Sequence, residues 1–167
     1  MRHTTTVLAA AMIAGLATGA GAAELGRFGQ WEAYVLSDAS GKFCYAAARA
    51  DKLQGGDKNR VGTALAVSHR AKSPNEVSVT GPYGFKKDSD VEIQIGGMKH
   101  TLFTKGGQNA WAKDGAADKA IVAAMAKGKE VLVRATPAKG AAVSDSIPLK
   151  GFSDALAAID KACGVKR

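Results

Sequence analysis

Val91-Glu92-Ile93-Gln94-Ile95-Gly96-Gly97-Met98-Lys99-His100-Thr101-Leu102-Phe103-Thr104 encodes a β-hairpin. Two alternating runs flank a Gly-Gly pair, and two-residue hairpin loops need positive φ, which glycine adopts without steric cost. Counting outward from that loop pairs Ile95 with Met98, Ile93 with His100 and Val91 with Leu102. These positions form one largely apolar face, while Glu92, Gln94, Lys99 and Thr101 form the other. An antiparallel pair with one packed and one wet side has this pattern, so the stretch predicts a β-protein.

The neighbouring segments extend the same reading. Phe28–Ser37 reads as a strand anchored by Trp31, Asp38–Gly41 as a turn, and Phe43–Ala48 as a second strand with Cys44, Ala46 and Ala48 on one face. The polar, glycine-bearing Asp51–Arg60 reads as an exposed loop. Val61–Arg70 and Glu76–Thr80 follow as strands, with Ser73-Pro74-Asn75 turning the chain between them. Gly81–Phe85 crosses towards the hairpin, and Lys86–Asp90 is a charged turn.

Beyond the hairpin, Asp114 or Asp118 can start a helix that carries Ile121, Val122 and Met125 on one face and stops at Gly128. Glu130–Ala135 and Val143–Leu149 read as strands, Pro148 marking the second as an edge or terminus. Ser153 is placed to cap a last helix, Asp154–Ala162, in which Leu156, Ile159 and Cys163 share a stripe that aims Cys163 into the domain. Strands outnumber helices about four to one and do not alternate with them. The prediction is a mainly all-β antiparallel sandwich with one inserted and one C-terminal helix.

The chain has 167 residues, enough for one domain once a leader is removed. Residues 1–22 read as that leader: Arg2 supplies the positive start, Val7–Leu16 the apolar run, and Ala20-Gly21-Ala22 the small-x-small cleavage site. Thr18, Gly19 and Gly21 cut the run short of the roughly 20 residues a membrane span needs. No cysteine at the cleavage site offers a lipid anchor, and no twin arginine is present. Residues 23–167 are the expected mature domain, periplasmic, outer-membrane-associated or secreted.

Two cysteines, Cys44 and Cys163, lie near opposite ends of that domain. In an oxidising compartment they are most simply one disulfide, and the alternative is two free thiols. Neither lies in a C-x-x-C arrangement. The formal charge of +8, one unit less once Arg2 leaves, is spread along the sequence rather than gathered in a block, which reads first as a solvated, steering surface. Its anionic counterpart in the envelope would be a polymer, a lipid headgroup or a host surface. No aromatic-plus-basic signature points to nucleic acid.

No catalytic, metal or cofactor site is predicted. Gly151-Phe152-Ser153-Asp154-Ala155 approaches a nucleophile elbow, yet no histidine follows His100 to serve the serine. His69 and His100 read as hydrogen-bonded structural histidines, since metal sites gather several donors. Asp88 and Asp90 lack the ligand count and spacing of a calcium loop. Trp31, Tyr83, Phe85 and Trp111 could line a binding surface, but with 6% aromatic residues most are expected in the core.

An ordered set of landmarks resembles the invasion-associated locus B family of exported alphaproteobacterial proteins. They are Trp31, Gly41–Ala46, Asn75–Val79, Gly96-Gly97 with Leu102-Phe103-Thr104, Ala110-Trp111, Gly128-Lys129, Leu149–Phe152 and the terminal Cys163. The resemblance implies an immunoglobulin-like sandwich in the periplasm or at the outer membrane, associated in some members with host-cell adhesion and invasion. It carries over no catalytic residue. The expected function is a non-enzymatic envelope protein that binds an unknown protein or an anionic envelope or host-surface component. The alternatives are an inhibitor or chaperone of exported proteins, or a small hydrolase.

Overall fold

The computed structural model describes residues 21–167, so residues 1–20 of the expected leader lie outside the described residues. The hairpin forms in the expected register, β7 (Asp90–Ile95) against β8 (Met98–Phe103), with Ile95 opposite Met98 and Val91 opposite Leu102. Its packed face is shorter than the alternation suggests. Met98 is 56% exposed, because the inner face runs out at the loop and no neighbouring side chain covers it there.

Among the described residues, eleven strands make one antiparallel sheet. The amino-terminal half contains β1 (Ala23–Phe28), β2 (Trp31–Asp38), β3 (Gly41–Arg49), β5 (Ala64–Arg70) and β6 (Ser73–Thr80). The short β9 (Asn109–Trp111) joins it to β8, β7, β10 (Glu130–Ala135), β11 (Val143–Pro148) and β4 (Lys52–Gln54), giving the order β1-β2-β3-β5-β6-β9-β8-β7-β10-β11-β4. The far edge, β4, is separated from β3 by only two residues, so the sheet curls back on itself. The amides of Ala50 and Asp51 clasp that corner by donating to Thr63 O and Ser146 O. Such a curl, with inward faces sharing one core, is compatible with a sandwich, although the halves are one continuous sheet.

Two helices complete the core. α1 (Gly115–Lys127) starts at Asp114, whose carboxylate accepts from Ala117 N–H as an N-cap. Its Asp118 accepts from Val77 N–H at 2.8 Å, where the β6–β9 pairing has ended and only the β5 side of β6 is still paired. A side chain thereby satisfies a backbone donor that would otherwise be buried without one. α2 (Phe152–Cys163) packs on the inner side of β1, β2 and β3, with the Phe152 ring 4.8 Å from that of Trp31. Trp31 Nε1 donates to Pro148 O at 2.9 Å, tying β2 to the end of β11.

Four local expectations need correction. The turn expected at Ser73-Pro74-Asn75 falls at Ala71-Lys72, and residues 73–75 already belong to β6. The amino-terminal strand is two strands, β1 and β2, because Gly29 at φ 64 allows a tight turn after Phe28. The stretch expected as an exposed loop contributes strand β4 and a buried Arg60. Ser153 does not cap α2; Gly151 is the N-cap at φ 91, and the helix starts two residues earlier than expected. A Cβ at Gly151 would lie 2.0 Å from Phe28 O, so contact with the β1–β2 corner selects glycine at that boundary.

Candidate functional surface

Along the strands of the first half, alternate residues face outward. Tyr34 and Tyr45 stack with centroids 5.2 Å apart, Phe43 lies 5.6 Å from Tyr45, and the Arg70 guanidinium sits 4.1 Å above the Phe43 ring. Tyr34 also donates to Glu32 at 2.8 Å. The three rings of this ladder are half-buried against one another, with Arg70 exposed above them.

A second aromatic pair is not covered in this way. The register runs Ala47, Ala66, Ser78, Trp111 and Phe103 across five strands. Trp111 is 43% and Phe103 48% exposed, directly opposite one another on β9 and β8. The small side chains of Ala47, Ala66 and Ser78 leave the Trp111 flank open.

β7, β8, β9 and β10 all have an end at the loops 81–89, 104–108 and 136–142. Four backbone hydrogen bonds knit these loops: Phe85 N to Gly107 O, Gly81 N to Gln108 O, Lys86 N to Thr136 O and Ala138 N to Gly84 O, all at 2.8–3.0 Å. Lys86, Lys87, Lys105 and Lys139 project from them, exposed. Among the described residues, none has a carboxylate within ion-pair distance. Only Thr104 separates Phe103 from Lys105, so the aromatic pair is a shoulder of a basic end.

The residues weighed for chemistry scatter. Trp31 and Phe85 are fully buried, Tyr83 is half-buried, and only Trp111 of that aromatic set is largely open. Ser153 is exposed on α2, and Asp88 and Asp90 lie in and beside the 81–89 loop. His100 faces Ile93, and its Nε2 is buried without a hydrogen-bond partner among the described residues. The described residues contain no cluster of three metal-type ligands.

His69 is fully buried in a polar network. Its Nδ1 accepts from Asn75 N–H at 3.0 Å, so the proton resides on Nε2 and is donated to Asp160 at 2.8 Å. Arg167 reaches both Asp160 and Asn75 Oδ1, closing the network over the carboxyl terminus. Burial lowers the His69 pKa, outweighing the upward pull of Asp160. Between that depressed value and the ordinary value near 6.5, the unfolded chain binds the proton and the folded chain refuses it. Stability is therefore expected to be full above about pH 6.5 and to fall on acidification, at up to about 1.4 kcal/mol per pH unit until the folded value is reached. Urea midpoints at about pH 8 and about pH 5 check this. His69→Asn should flatten the profile at a lower overall stability; an unchanged slope in that variant excludes His69 as its source.

The sequence reading missed the buried ion pair of Arg60 and Asp145, whose side chains are 6% and 0% exposed. The two are hydrogen-bonded through both carboxylate oxygens, and Asp145 also accepts from Thr63 N–H at 2.9 Å. Arg60 further donates to Gly55 O and Gln54 O. Burial pushes the nearby Tyr83 phenol up to about 12, and the Asp145 charge adds to the shift. A signal was present: strict alternation puts Asp145 on the face of Val143 and Ile147. This pair is saturated and closed to solvent, so it organises the 55–63 loop and is no binding site.

The family model for the invasion associated locus B (IalB) protein matches residues 31–160, from the buried Trp31 to Asp160 of the histidine network. The chain belongs to the invasion-associated locus B family. The crystal structure of invasion associated protein b from Bartonella henselae is similar in fold, with TM-score 0.57 and 23% identity over 82% of this chain and 96% of that one. No curated protein matches. The mostly β architecture with two helices is thus that of an invasion-associated locus B protein. The family match ends at residue 160, before Cys163, which the structure joins to Cys44 in a disulfide with a Cα–Cα distance of 6.1 Å. No helix among the described residues is long and apolar enough to cross a membrane.

Proposed function

We propose that this family member is an exported envelope protein that acts by binding a macromolecular or surface partner rather than by catalysis. The observation that carries the reading is the open Trp111–Phe103 pair beside the lysine-bearing loops. Most other large apolar side chains are packed, and a tryptophan left half in water on a rigid sheet has the character of a contact residue. Family membership and the disulfide support the envelope setting, because oxidised cysteines persist there. The leader is cleaved near Ala22, leaving residues 23–167 as one domain. Adhesion to or invasion of host cells is the role that the family's name brings to this surface.

Site-specific photo-crosslinking tests the reading. A photoreactive residue at position 111 should capture a discrete envelope or host-surface species in intact cells, and one at Ser144 on the outer side of β11 should not. Equal labelling at both positions, or turnover of a defined substrate that survives loss of the Trp111 surface, would overturn it. Mass spectrometry of the exported protein should find an amino terminus at Ala23 or Glu24.

A further inference from the structure

We infer that the partner of the Trp111–Phe103 shoulder is the surface of an anionic phospholipid bilayer. This rests on the binding role proposed above and assigns its chemistry. Three observations converge. Lys86, Lys87, Lys105 and Lys139 project without carboxylate partners from loops that backbone hydrogen bonds hold together, and Lys58 joins them from the adjacent 55–60 segment. The carboxylates of the same loops are fewer: Asp57 accepts from Asn59 N–H, Asp90 opens onto the groove shared with Arg134, and only Asp88 remains among the lysines. The exposed aromatic pair then stands at the edge of this charge rather than on a remote face.

Lysines attract anionic headgroups over a Debye length, while a tryptophan and a phenylalanine settle at the boundary between headgroups and acyl chains. The chain would lie on the bilayer by this end, consistent with the absence of a long apolar helix among the described residues. The opposite end of the strands supplies an internal comparison. Lys127 and Lys129 lie beside the Gly96-Gly97 loop, where Gly128 packs against Ile95 and Leu149; Leu149 N–H bonds Lys129 O, and Lys150 follows it in sequence. These lysines are exposed too, but Met98 is the only large exposed apolar residue beside them, and Glu130 stands in their midst.

The test uses the protein purified from cells after expression with its leader, and vesicles of phosphatidylcholine with or without about one third phosphatidylglycerol. Wild type should sediment with the anionic vesicles and not with the neutral ones. Each lysine near an anionic surface contributes about fivefold, so K86Q/K87Q/K105Q should lower partitioning about a hundredfold. K127Q/K129Q/K150Q loses the same formal charge at the other end and should remain within about threefold of wild type. The chain has two tryptophans, and Trp31 is fully buried, so quenching by bromine-labelled lipid should come from Trp111 and disappear in Trp111→Phe.

Absence of vesicle binding, equal losses in the two triple variants, or no quenching of Trp111 would each overturn the inference. A discrete crosslinked protein at position 111 without vesicle binding removes the lipid assignment and leaves the partner-binding reading intact. Failure of both experiments removes both.

Discussion

Asp145→Ala is expected to lower the free energy of unfolding by about 3–5 kcal/mol, a loss characteristic of a buried ion pair deprived of one partner. The substitution leaves the Arg60 guanidinium, 6% exposed, with the carbonyls of Gly55 and Gln54 as its acceptors but no counter-charge. It also orphans Thr63 N–H, in a neighbourhood where Thr63 Oγ1 and Tyr83 Oη already have no partner. The mechanism makes a second claim, since most of the cost comes from the stranded charge rather than from any net strength of the pair. R60M/D145L should therefore recover most of what Asp145→Ala loses. Urea unfolding followed by tryptophan emission measures both. A loss below about 1 kcal/mol in Asp145→Ala, the range of an exposed pair, would show that water reaches the site.

Removing the Cys44–Cys163 link should be comparably severe. The disulfide spans 119 residues, for which the chain-entropy model gives roughly 5 kcal/mol. The effect should also be unevenly distributed along α2. Its amino-terminal end is held independently by the Phe152 ring against Trp31, whereas its last turn relies on Cys163, the Asp160 network and the Lys42 contact with Ala162 O. After reduction, or in C44A/C163A, amide exchange should accelerate first in residues 160–167 and last near Phe152. Unfolding midpoints with and without reductant measure the global loss. A difference below about 1 kcal/mol would mean that the reduced unfolded chain is already compact, so the crosslink restricts it little.

The extent to which sequence anticipates structure here follows from the range of the interactions. The β7–β8 register was legible because turn chemistry and period-two alternation are local. Asp114 as a cap was legible for the same reason. The cysteine pairing was approachable because only two cysteines exist and the α2 stripe aims one of them inward. Ser153 misled because a good capping residue beside a helix start is a local signal, whereas the contact of Gly151 with Phe28 O is not.

Local sequence alone fixes a mostly β chain, its main hairpin and the two helices among the described residues. Its landmarks also pointed to the family that the comparison found. Tertiary structure decided what lies across the chain. It brings Arg60 to Asp145 over 85 positions, and it uses Asp118 to take the amide of Val77 on the side where β9 has ended. It also leaves Trp111 in water while Trp31 is sealed beneath α2, although the two are the same residue type in similar strand contexts. Strand alternation specifies which side chains share a face. Whether that face is covered depends on how the sheet curls and where the helices settle, and those are set by long-range packing that no single segment encodes.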